Sequence, residues 1–173
     1  ARPDAVFCCH SALELLGAAH SVWNQGTVFT ERRRPPLKLK GSRIVFLAHP
    51  APLRKSTDTG LGTRKVEQRG FLLRATGPER TLVEGVRRPD LVGGLRELIN
   101  SATGFATLDL ALLERVLQRY NERRLWAAVG WFLEQHQARF HVPADYLERL
   151  ARHRPRSPLY VPRSQRGGVL SAR

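Results

Sequence analysis

The 173-residue chain lacks methionine altogether and has only two cysteines, the adjacent Cys8 and Cys9. Neighbouring residues of a strand point to opposite faces, so this pair does not match the spacing of metal ligands. Because disulfides are rare in a reducing cytoplasm, we expect two buried thiols. The sequence opens on alanine and has no methionine, and we therefore expect a fragment of a longer protein.

Long hydrophobic runs are also missing. Stretches such as residues 44–48 are far too short to cross a bilayer. The first nine residues do not have the basic-then-apolar layout of a signal peptide. We expect a cytoplasmic protein with no membrane partner.

The sequence contains no recognisable catalytic or cofactor motif. It has no H-E-x-x-H or C-x-x-C, and its serines lack the glycines of a nucleophile elbow. Asp58 and Glu67 faintly resemble the acids of a metal-dependent nuclease, but no E-x-K strand occurs, because Gln68 and Arg69 follow Glu67. Residues 60–62 lack the order of a P-loop, which favours a hairpin connection over a phosphate-binding turn. We expect no enzyme activity, no metal and no cofactor.

Positive charge is abundant and unevenly distributed. The formal net charge is +14; residues 31–75 carry twelve basic and three acidic side chains, and residues 149–173 carry seven arginines and no acid. Clustering of this kind is typical of proteins with a polyanionic partner, most often nucleic acid. The alternative is a compositional origin, because arginine outnumbers lysine by twenty-five to four, as GC-rich coding can produce.

The basic residues expected to contact phosphate lie on a loop, on a strand and in the tail. Two prolines, Pro35 and Pro36, force an extended backbone and display the preceding arginines on a loop. Residues 37–40 alternate leucine and lysine, which predicts a half-exposed strand with a cationic outer face. Residues 153–173 are rich in proline and arginine and are interpreted as a basic tail of the same domain. The candidate phosphate-binding residues are Arg32, Arg33, Arg34, Lys38, Lys40, Arg43, Arg163 and Arg166.

Hydrophobic patterning predicts strands in the first half and helices in the second. Strands are predicted over residues 6–9, 28–30, 37–40, 42–49, 64–68 and 70–74, the last two as neighbours. Helices are predicted at capping boxes over residues 11–14 and 76–79, after Gly94, over residues 110–120 and 122–136, and after Pro143. Trp126 and Trp131 lie in an apolar pattern, which favours core packing over a base-stacking platform. We expect an α+β domain over residues 1–152, with a mostly antiparallel sheet packed by the helices.

A set of short motifs occurs in order along nearly the whole chain. These are the entry strand running into Ser11-Ala-Leu13, Thr76-Gly-Pro-Glu-Arg80-Thr-Leu-Val83, Arg88-Pro-Asp90, Gly93-Gly94, the helix from Asn121-Glu-Arg-Arg124 to Leu133-Glu134, and Gln165-Arg-Gly-Gly168. In this order and spacing the chain resembles the C-terminal domain of AbiEi-type antitoxins. We expect the chain to depart from that family in two ways: it lacks the winged helix before Val6, and the strand expected after Arg173 is cut short.

The resemblance implies a bacterial transcriptional regulator from a type IV toxin–antitoxin system, a class that acts in phage defence. In that family an N-terminal winged-helix domain reads the operator, and the C-terminal domain helps to neutralise a nucleotidyltransferase-like AbiEii toxin and supports repression. Operator DNA and the toxin are the implied partners, and homo-oligomer formation stays open. Two other interpretations remain: a protein-interaction module whose basic face meets an acidic partner, and a general RNA-binding domain, although no aromatic RNP strand occurs.

Overall fold

The computed structural model describes residues 4–153, and these form one mixed sheet covered by helices. The strands are β1 (Val6–Phe7), β2 (Gln25–Thr30), β3 (Leu37–Leu39), β4 (Ser42–Ala48), β5 (Thr63–Gln68) and β6 (Phe71–Thr76). The helices are α1 (Cys9–Leu15), α2 (Ala51–Lys55), α3 (Pro78–Arg87), α4 (Leu95–Ala102), α5 (Leu110–Tyr120), α6 (Arg123–Gln135) and α7 (Ala144–Ala151). A single 3-10 turn, Pro89–Leu91, follows α3. The predicted α+β class is confirmed.

The strand order across the sheet is β3-β4-β2-β1-β6-β5. Three of the five pairings are antiparallel, namely β3 with β4, β1 with β2, and β5 with β6. The other two, β2 with β4 and β1 with β6, are parallel. The sheet is therefore more mixed than the patterning predicted. Helix α1 links β1 to β2, and α2 lies between β4 and β5.

One face of the sheet packs against the helices. Val6, Phe29 and Leu47 lie side by side on β1, β2 and β4 and join the hydrophobic core with α3, α5 and α6. Their neighbours along the strands, such as Val28 and Phe46, point to the opposite face because side chains alternate along a strand. The core therefore lies between the sheet and the helices of the second half.

The predicted pair of strands at residues 64–68 and 70–74 is confirmed as a tight hairpin. Gln68 lies opposite Phe71, and the two residues between them, Arg69 and Gly70, have φ angles of 52° and 79°. Positive φ at both central positions is the geometry of a type I′ turn, whose twist matches that of the flanking strands. The hairpin thus projects from the edge of the sheet with its turn in solvent.

The two predicted capping boxes are wrong. Helix α3 begins at Pro78 with no side-chain cap, and the Glu79 carboxylate instead accepts a hydrogen bond from the backbone of Asp109, 2.8 Å away. Ser11 lies inside α1, and its hydroxyl oxygen accepts from the backbone N–H of Thr27 at 2.9 Å. In both cases a distant segment takes the side chain that the local pattern assigned to a cap. At the start of α5 the side chain of Asp109 is the cap, because its carboxylate accepts from Leu112 N–H.

The two tryptophans of α6 have different environments. Trp126 is buried, as the pattern predicted, and its ring stacks on His153 with 4.1 Å between ring centroids. Trp131 is 48% exposed, so the prediction of core packing is wrong for it. It lies on the solvent side of a helix whose core stripe is already filled by residues such as Leu133.

Candidate functional site

The three arginines that follow β2 are exposed, as predicted. Arg32, Arg33 and Arg34 occupy an irregular segment between β2 and β3, and the two prolines after them keep it out of helical conformation. The backbone of this loop is held by a hydrogen bond from the Thr30 hydroxyl to the carbonyl of Arg32 at 2.7 Å. The guanidinium groups are therefore presented to solvent from an anchored loop.

The cationic face predicted for β3 has the opposite orientation in the structure. Lys38 lies opposite Arg43 on β4, which in turn lies opposite Gln25 on β2 and donates a hydrogen bond to its side chain at 2.6 Å. Gln25 shares the face of Phe29, and Phe29 packs in the core, so these cations extend from the helix-bearing face. The leucines on either side of Lys38 are the residues that point to the other face, each 49% exposed. A two-residue alternation shows which residues share a face but not which face the helices cover.

The predicted basic residues do not form one cluster. Lys40 lies in the turn between β3 and β4, whereas Arg32–Arg34 follow the far end of β2, which runs parallel to β4. With about 3.3 Å per residue, the seven residues of β4 separate the two groups by roughly 20 Å. The predicted tail positions Arg163 and Arg166 lie outside the described residues.

A second basic group, which is not among the residues predicted to contact phosphate, lies near Arg32–Arg34. Strand β6 runs antiparallel to β2, because β1 pairs antiparallel with β2 and parallel with β6. The β5–β6 hairpin therefore projects from the same end of the sheet as the arginine loop. It carries exposed Arg64, Lys65, Arg69 and Arg74, with Lys65 directly opposite Arg74. We call this end of the sheet, comprising residues 32–34 and the hairpin, the basic end.

The described basic side chains of the strand half and of the helical half differ in whether they form ion pairs. None of the twelve basic side chains in residues 31–75 forms an ion pair with another described residue. In the helical half, by contrast, Arg80, Arg87, Arg88, Arg119, Arg124 and Arg149 each pair with a carboxylate at 4.0 Å or less. The positive charge of the strand half is therefore available to an external partner.

A cleft of about 340 Å³ lies beside the basic end, between the carboxyl ends of β2 and β4 and the last turns of α3. It is lined by Cys9, Phe29, Arg33, Leu47, Ala48, Pro50, Glu84, Arg87, Arg88 and Leu91. Cys9 has a φ of 56°, in the left-handed region that non-glycine residues adopt mainly at turns and strained sites. Both cysteines are buried as expected, although β1 ends at Phe7, before either of them.

Behind the cleft lies a buried polar network. Arg80 is the largest fully buried side chain of the described chain, and its guanidinium donates to Glu84 at 2.8 Å and to the carbonyls of Thr59 and Leu61. Burial by itself lowers the pKa of Arg80, but the adjacent Glu84 carboxylate more than offsets this, so the pKa is raised and the charge is retained. Tyr120 donates to the same oxygen of Glu84 at 2.5 Å. The second oxygen of Glu84, Oε2, is buried and has no hydrogen-bond partner among the described residues.

The two arginines at the end of α3 are held by acids. Arg87 donates to Glu122 at 2.7 Å, and Arg88 donates to both oxygens of Asp90 at 3.0 and 2.7 Å. The hydrogen bonds from Arg88 keep the pKa of Asp90 below its usual value. These pairs fix the two guanidinium groups at the mouth of the cleft. Arg33, the third arginine of the lining, forms no ion pair within residues 4–153.

The acids considered as nuclease residues have structural contacts instead. Asp58 pairs with Arg119 at 3.5 Å, and the Glu67 carboxylate accepts from the backbone of Gly70 in the hairpin turn at 2.6 Å. Residues 4–153 contain no group of three or more His, Cys, Asp or Glu side chains placed to hold a metal ion. His10 is buried and stacked on Trp23 at 4.2 Å.

Within the described part of the chain, none of the helices combines the length and the hydrophobicity that crossing a membrane requires.

Comparison with known proteins gives a match in structure alone. No family model matches the chain, and no curated protein matches its sequence. Among solved structures, the chain is similar to the RV2827C protein from Mycobacterium tuberculosis, with a TM-score of 0.54, 17% sequence identity and coverage of 90% of this chain. The match covers 54% of the other chain, so the present sequence spans about half the length of that protein. At this identity the similarity shows a shared fold.

Proposed function

We propose that this domain is the C-terminal domain of an AbiEi-like antitoxin and transcriptional repressor, and that its basic end contacts the phosphates of operator-region DNA. The observation that carries the proposal is the set of twelve unpaired basic side chains in residues 31–75. Charges that the fold does not neutralise are free to replace the counterions of a polyanion, which is the main source of affinity for a nucleic acid backbone.

The geometry suits contacts to phosphate rather than to bases. The arginines of residues 32–34 extend from a loop, and the β5–β6 hairpin presents Lys65 beside Arg74, so donors come from two separate segments at one end of the sheet. Guanidinium groups bind phosphate oxygens in a bidentate manner. Such contacts position a protein on the duplex without reading its sequence. This role fits a domain that accompanies a separate operator-reading domain, as the family resemblance implies.

The proposed second role, neutralising a nucleotidyltransferase-like toxin, rests on the family resemblance. One observation favours a protein-binding surface in the same region. Phe71 and Leu72, at the tip of the β5–β6 hairpin, are 70% and 66% exposed, next to the cationic Arg69. Exposed aromatic residues among arginines are typical of protein interfaces. The second candidate function is therefore binding of an acidic protein partner through this tip, either the toxin or another protein.

Duplex binding across a salt series tests the DNA role. We expect operator-region and scrambled duplexes to bind alike, with log K falling linearly with log salt concentration. Reversing the charge of Arg32, Arg33 and Arg34 together to glutamate should abolish most of this binding. The matched control reverses Arg96, Arg115 and Arg123, which are also exposed and unpaired among the described residues but lie in the helical half. Equal losses in the two triple variants would contradict a localised basic site.

The protein-binding role has a separate test. Co-purification with the product of a neighbouring nucleotidyltransferase-like reading frame should be lost when Phe71 and Leu72 are both changed to serine. Because both side chains are exposed, this double change should leave the stability of the domain within about 0.5 kcal/mol per site. Undiminished capture of the toxin by the variant would reject the hairpin tip as the contact.

A further inference from the structure

The sheet has a second apolar face, opposite to the one that the helices cover. Because side chains alternate along a strand and paired residues share a face, the strand register assigns each residue to one face or the other. None of the apolar residues on the second face is among the described residues that form the core with the helices. We call this surface the open face; its apolar residues are Leu37 and Leu39 of β3, Ile44 and Phe46 of β4, Val28 of β2, Phe7 of β1, Phe71, Leu73 and Ala75 of β6, and Val66 of β5.

Much of the open face is accessible to solvent. Leu37 and Leu39 are each 49% exposed, and Phe71 is 70% exposed. Phe46 and Val66, nearer the middle and on the far strand, are half-buried. The apolar side chains thus form a continuous surface that crosses all six strands. An exposed apolar surface of this extent on a folded chain is typical of an interaction site.

The open face carries little charge. Arg64 is the single charged residue that the register of the described strands assigns to it. Lys38 and Arg43 lie on the helix-bearing face, and so do Lys65 and Arg74. An acidic partner would therefore be attracted to that face and to the basic end, whereas the open face is complementary to a surface that is equally apolar and equally poor in charge. The same face of a second copy of this chain is such a surface.

The area of the open face meets the requirement for a specific contact between two copies. The six strands contain thirty residues. With about 3.3 Å between residues along a strand and about 4.8 Å between strands, they cover about 480 Å² of one face. Packing two such faces together removes about 1,000 Å² from solvent, which is the lower limit of a specific protein interface.

We propose that the open face binds the open face of a second copy of this chain, in a two-fold dimer of stacked sheets. In a two-fold dimer the same patch of both subunits forms the contact, so one self-complementary surface is sufficient. Stacked sheets lie about 10 Å apart, and the side chains of their inner faces interdigitate. The basic end and the cations of the helix-bearing face remain accessible in this arrangement. The dimer is therefore compatible with the proposed DNA role and does not depend on it.

The test is sedimentation equilibrium of the full chain over a concentration series, without DNA or any other protein. Between about 1 and about 300 μM we expect the average mass to rise from that of one chain to that of two. A chain that stays monomeric at about 300 μM would overturn the proposal.

A matched pair of variants locates the contact. Leu37→Asp, on the open face, should weaken the dimer at least about tenfold, because a carboxylate would be buried against apolar side chains. Trp131→Asp adds the same charge on the solvent side of α6, at a residue that is 48% exposed against 49% for Leu37, and should change the dimer by less than about twofold. Leu39→Asp, on the same face as Leu37, should reproduce the loss if Leu37→Asp does not fold. Equal effects of open-face and α6 variants would overturn the proposal.

Salt dependence separates this contact from binding that depends on charge. Each chain carries a formal net charge of +14, so two copies repel one another. Raising the salt concentration from about 0.05 to about 0.5 M screens that repulsion and should strengthen the dimer. The same change weakens binding to a nucleic acid backbone. A dimer that dissociates as salt is raised would overturn the proposal, because its interface would then consist of charged groups.

The apolar dye 1-anilinonaphthalene-8-sulfonate distinguishes a second copy from another occupant. We expect the dye to bind the monomer at low protein concentration and to be displaced as the dimer forms. A chain that never dimerises but binds the dye, with binding lost in Leu37→Asp, would overturn the second copy and assign the open face to a different apolar partner. Leu37 lies at the opposite edge of the sheet from the β5–β6 hairpin, so failure of the proposed toxin contact at the hairpin tip would leave this result unchanged.

Discussion

Tyr120, the last residue of α5, donates its hydroxyl hydrogen to Glu84 of α3 across 2.5 Å. Both residues are buried, and the same carboxylate oxygen accepts from Arg80. Burial, followed by the nearby negative charge of Glu84, raises the pKa of Tyr120 well above its usual value, so the phenol keeps its proton. The contact thus connects two helices through a charged acceptor within the core.

Replacement of Tyr120 by phenylalanine should therefore be costly. A hydrogen bond to a charged acceptor contributes about 1.5–3 kcal/mol, and its loss leaves the buried Glu84 with one donor fewer. Tyr146→Phe is the matched control, because its hydroxyl donates to the neutral carbonyl of Leu110 at 2.9 Å, a contact worth about 0.5–1.5 kcal/mol. Chemical denaturation should show the larger loss of unfolding free energy for Tyr120→Phe. Equal losses would mean that the charge of the acceptor has no effect.

Replacing either of two helical glycines by alanine should change the free energy of unfolding, with opposite signs at the two positions. A Cβ at Gly85 of α3 would lie 2.5 Å from Leu98 Cδ1, and Leu98 is 1% exposed on α4, so it has little room to move. A Cβ at Gly130 of α6 would lie 3.8 Å from Leu150, an ordinary contact. Gly130→Ala should raise the free energy of unfolding by about 0.5–1 kcal/mol through helix propensity. Gly85→Ala should lower it by about 1–3 kcal/mol through overpacking.

Thermal or denaturant unfolding of the two glycine variants measures both signs in one experiment. If Gly85→Ala raised the free energy of unfolding, α3 and α4 would be able to move apart without a loss of stability. That result would contradict the close approach of the two helices at this position.

The elements that could be predicted from the sequence are those that local patterns determine. The β5–β6 hairpin follows from alternation and a glycine at the turn, and the stripe of α5 follows from apolar residues at helical spacing. The two capping boxes failed because a partner distant in sequence competes for each side chain. Glu79 bonds to Asp109, thirty residues away, and Ser11 bonds to Thr27, sixteen residues away. The short stretch of sequence around each predicted cap does not include the distant residue that takes the side chain.

The candidate sites likewise combine features that local sequence patterns determine with features that depend on contacts between distant segments. The exposure of Arg32–Arg34 was predictable, because two prolines after an arginine run exclude a helix. The cleft was not predictable, since its lining joins the start of α1, the ends of β2 and β4, and the last turns of α3, with no common spacing. Arg80 resembles any solvent-facing helical arginine in the sequence, and its complete burial depends on carbonyls about twenty residues away.

Stability should fall in mild acid because of His49. Burial, together with the positive charge of Arg80, lowers the pKa of His49 from 6.5 to about 4. As the pH falls below 6.5, the unfolded chain takes up a proton at this site and the folded protein does not, so the free energy of unfolding decreases until the pH approaches 4. The decrease should be about 1–3 kcal/mol.

His49→Gln should remove most of this dependence, which is measured by denaturant unfolding at a series of pH values. A smaller slope should remain, because burial also lowers the pKa of His10. The control is His20→Gln, the same substitution at an exposed histidine. A His49→Gln protein with an unchanged slope would place the acid sensitivity elsewhere.

The β5–β6 hairpin should contribute to the salt dependence of DNA binding. If Lys65 and Arg74, which face each other across β5 and β6, each neutralise one phosphate, changing both to alanine should reduce the slope of log K against log salt by about 1.8. Binding should weaken equally for all duplex sequences, because phosphate contacts carry no sequence information. Arg96 and Arg115, changed together to alanine, supply a control with the same loss of charge from the helical half. A hairpin variant with the wild-type slope would show that Lys65 and Arg74 do not contact phosphate and would leave residues 32–34 as the main DNA contact of the basic end.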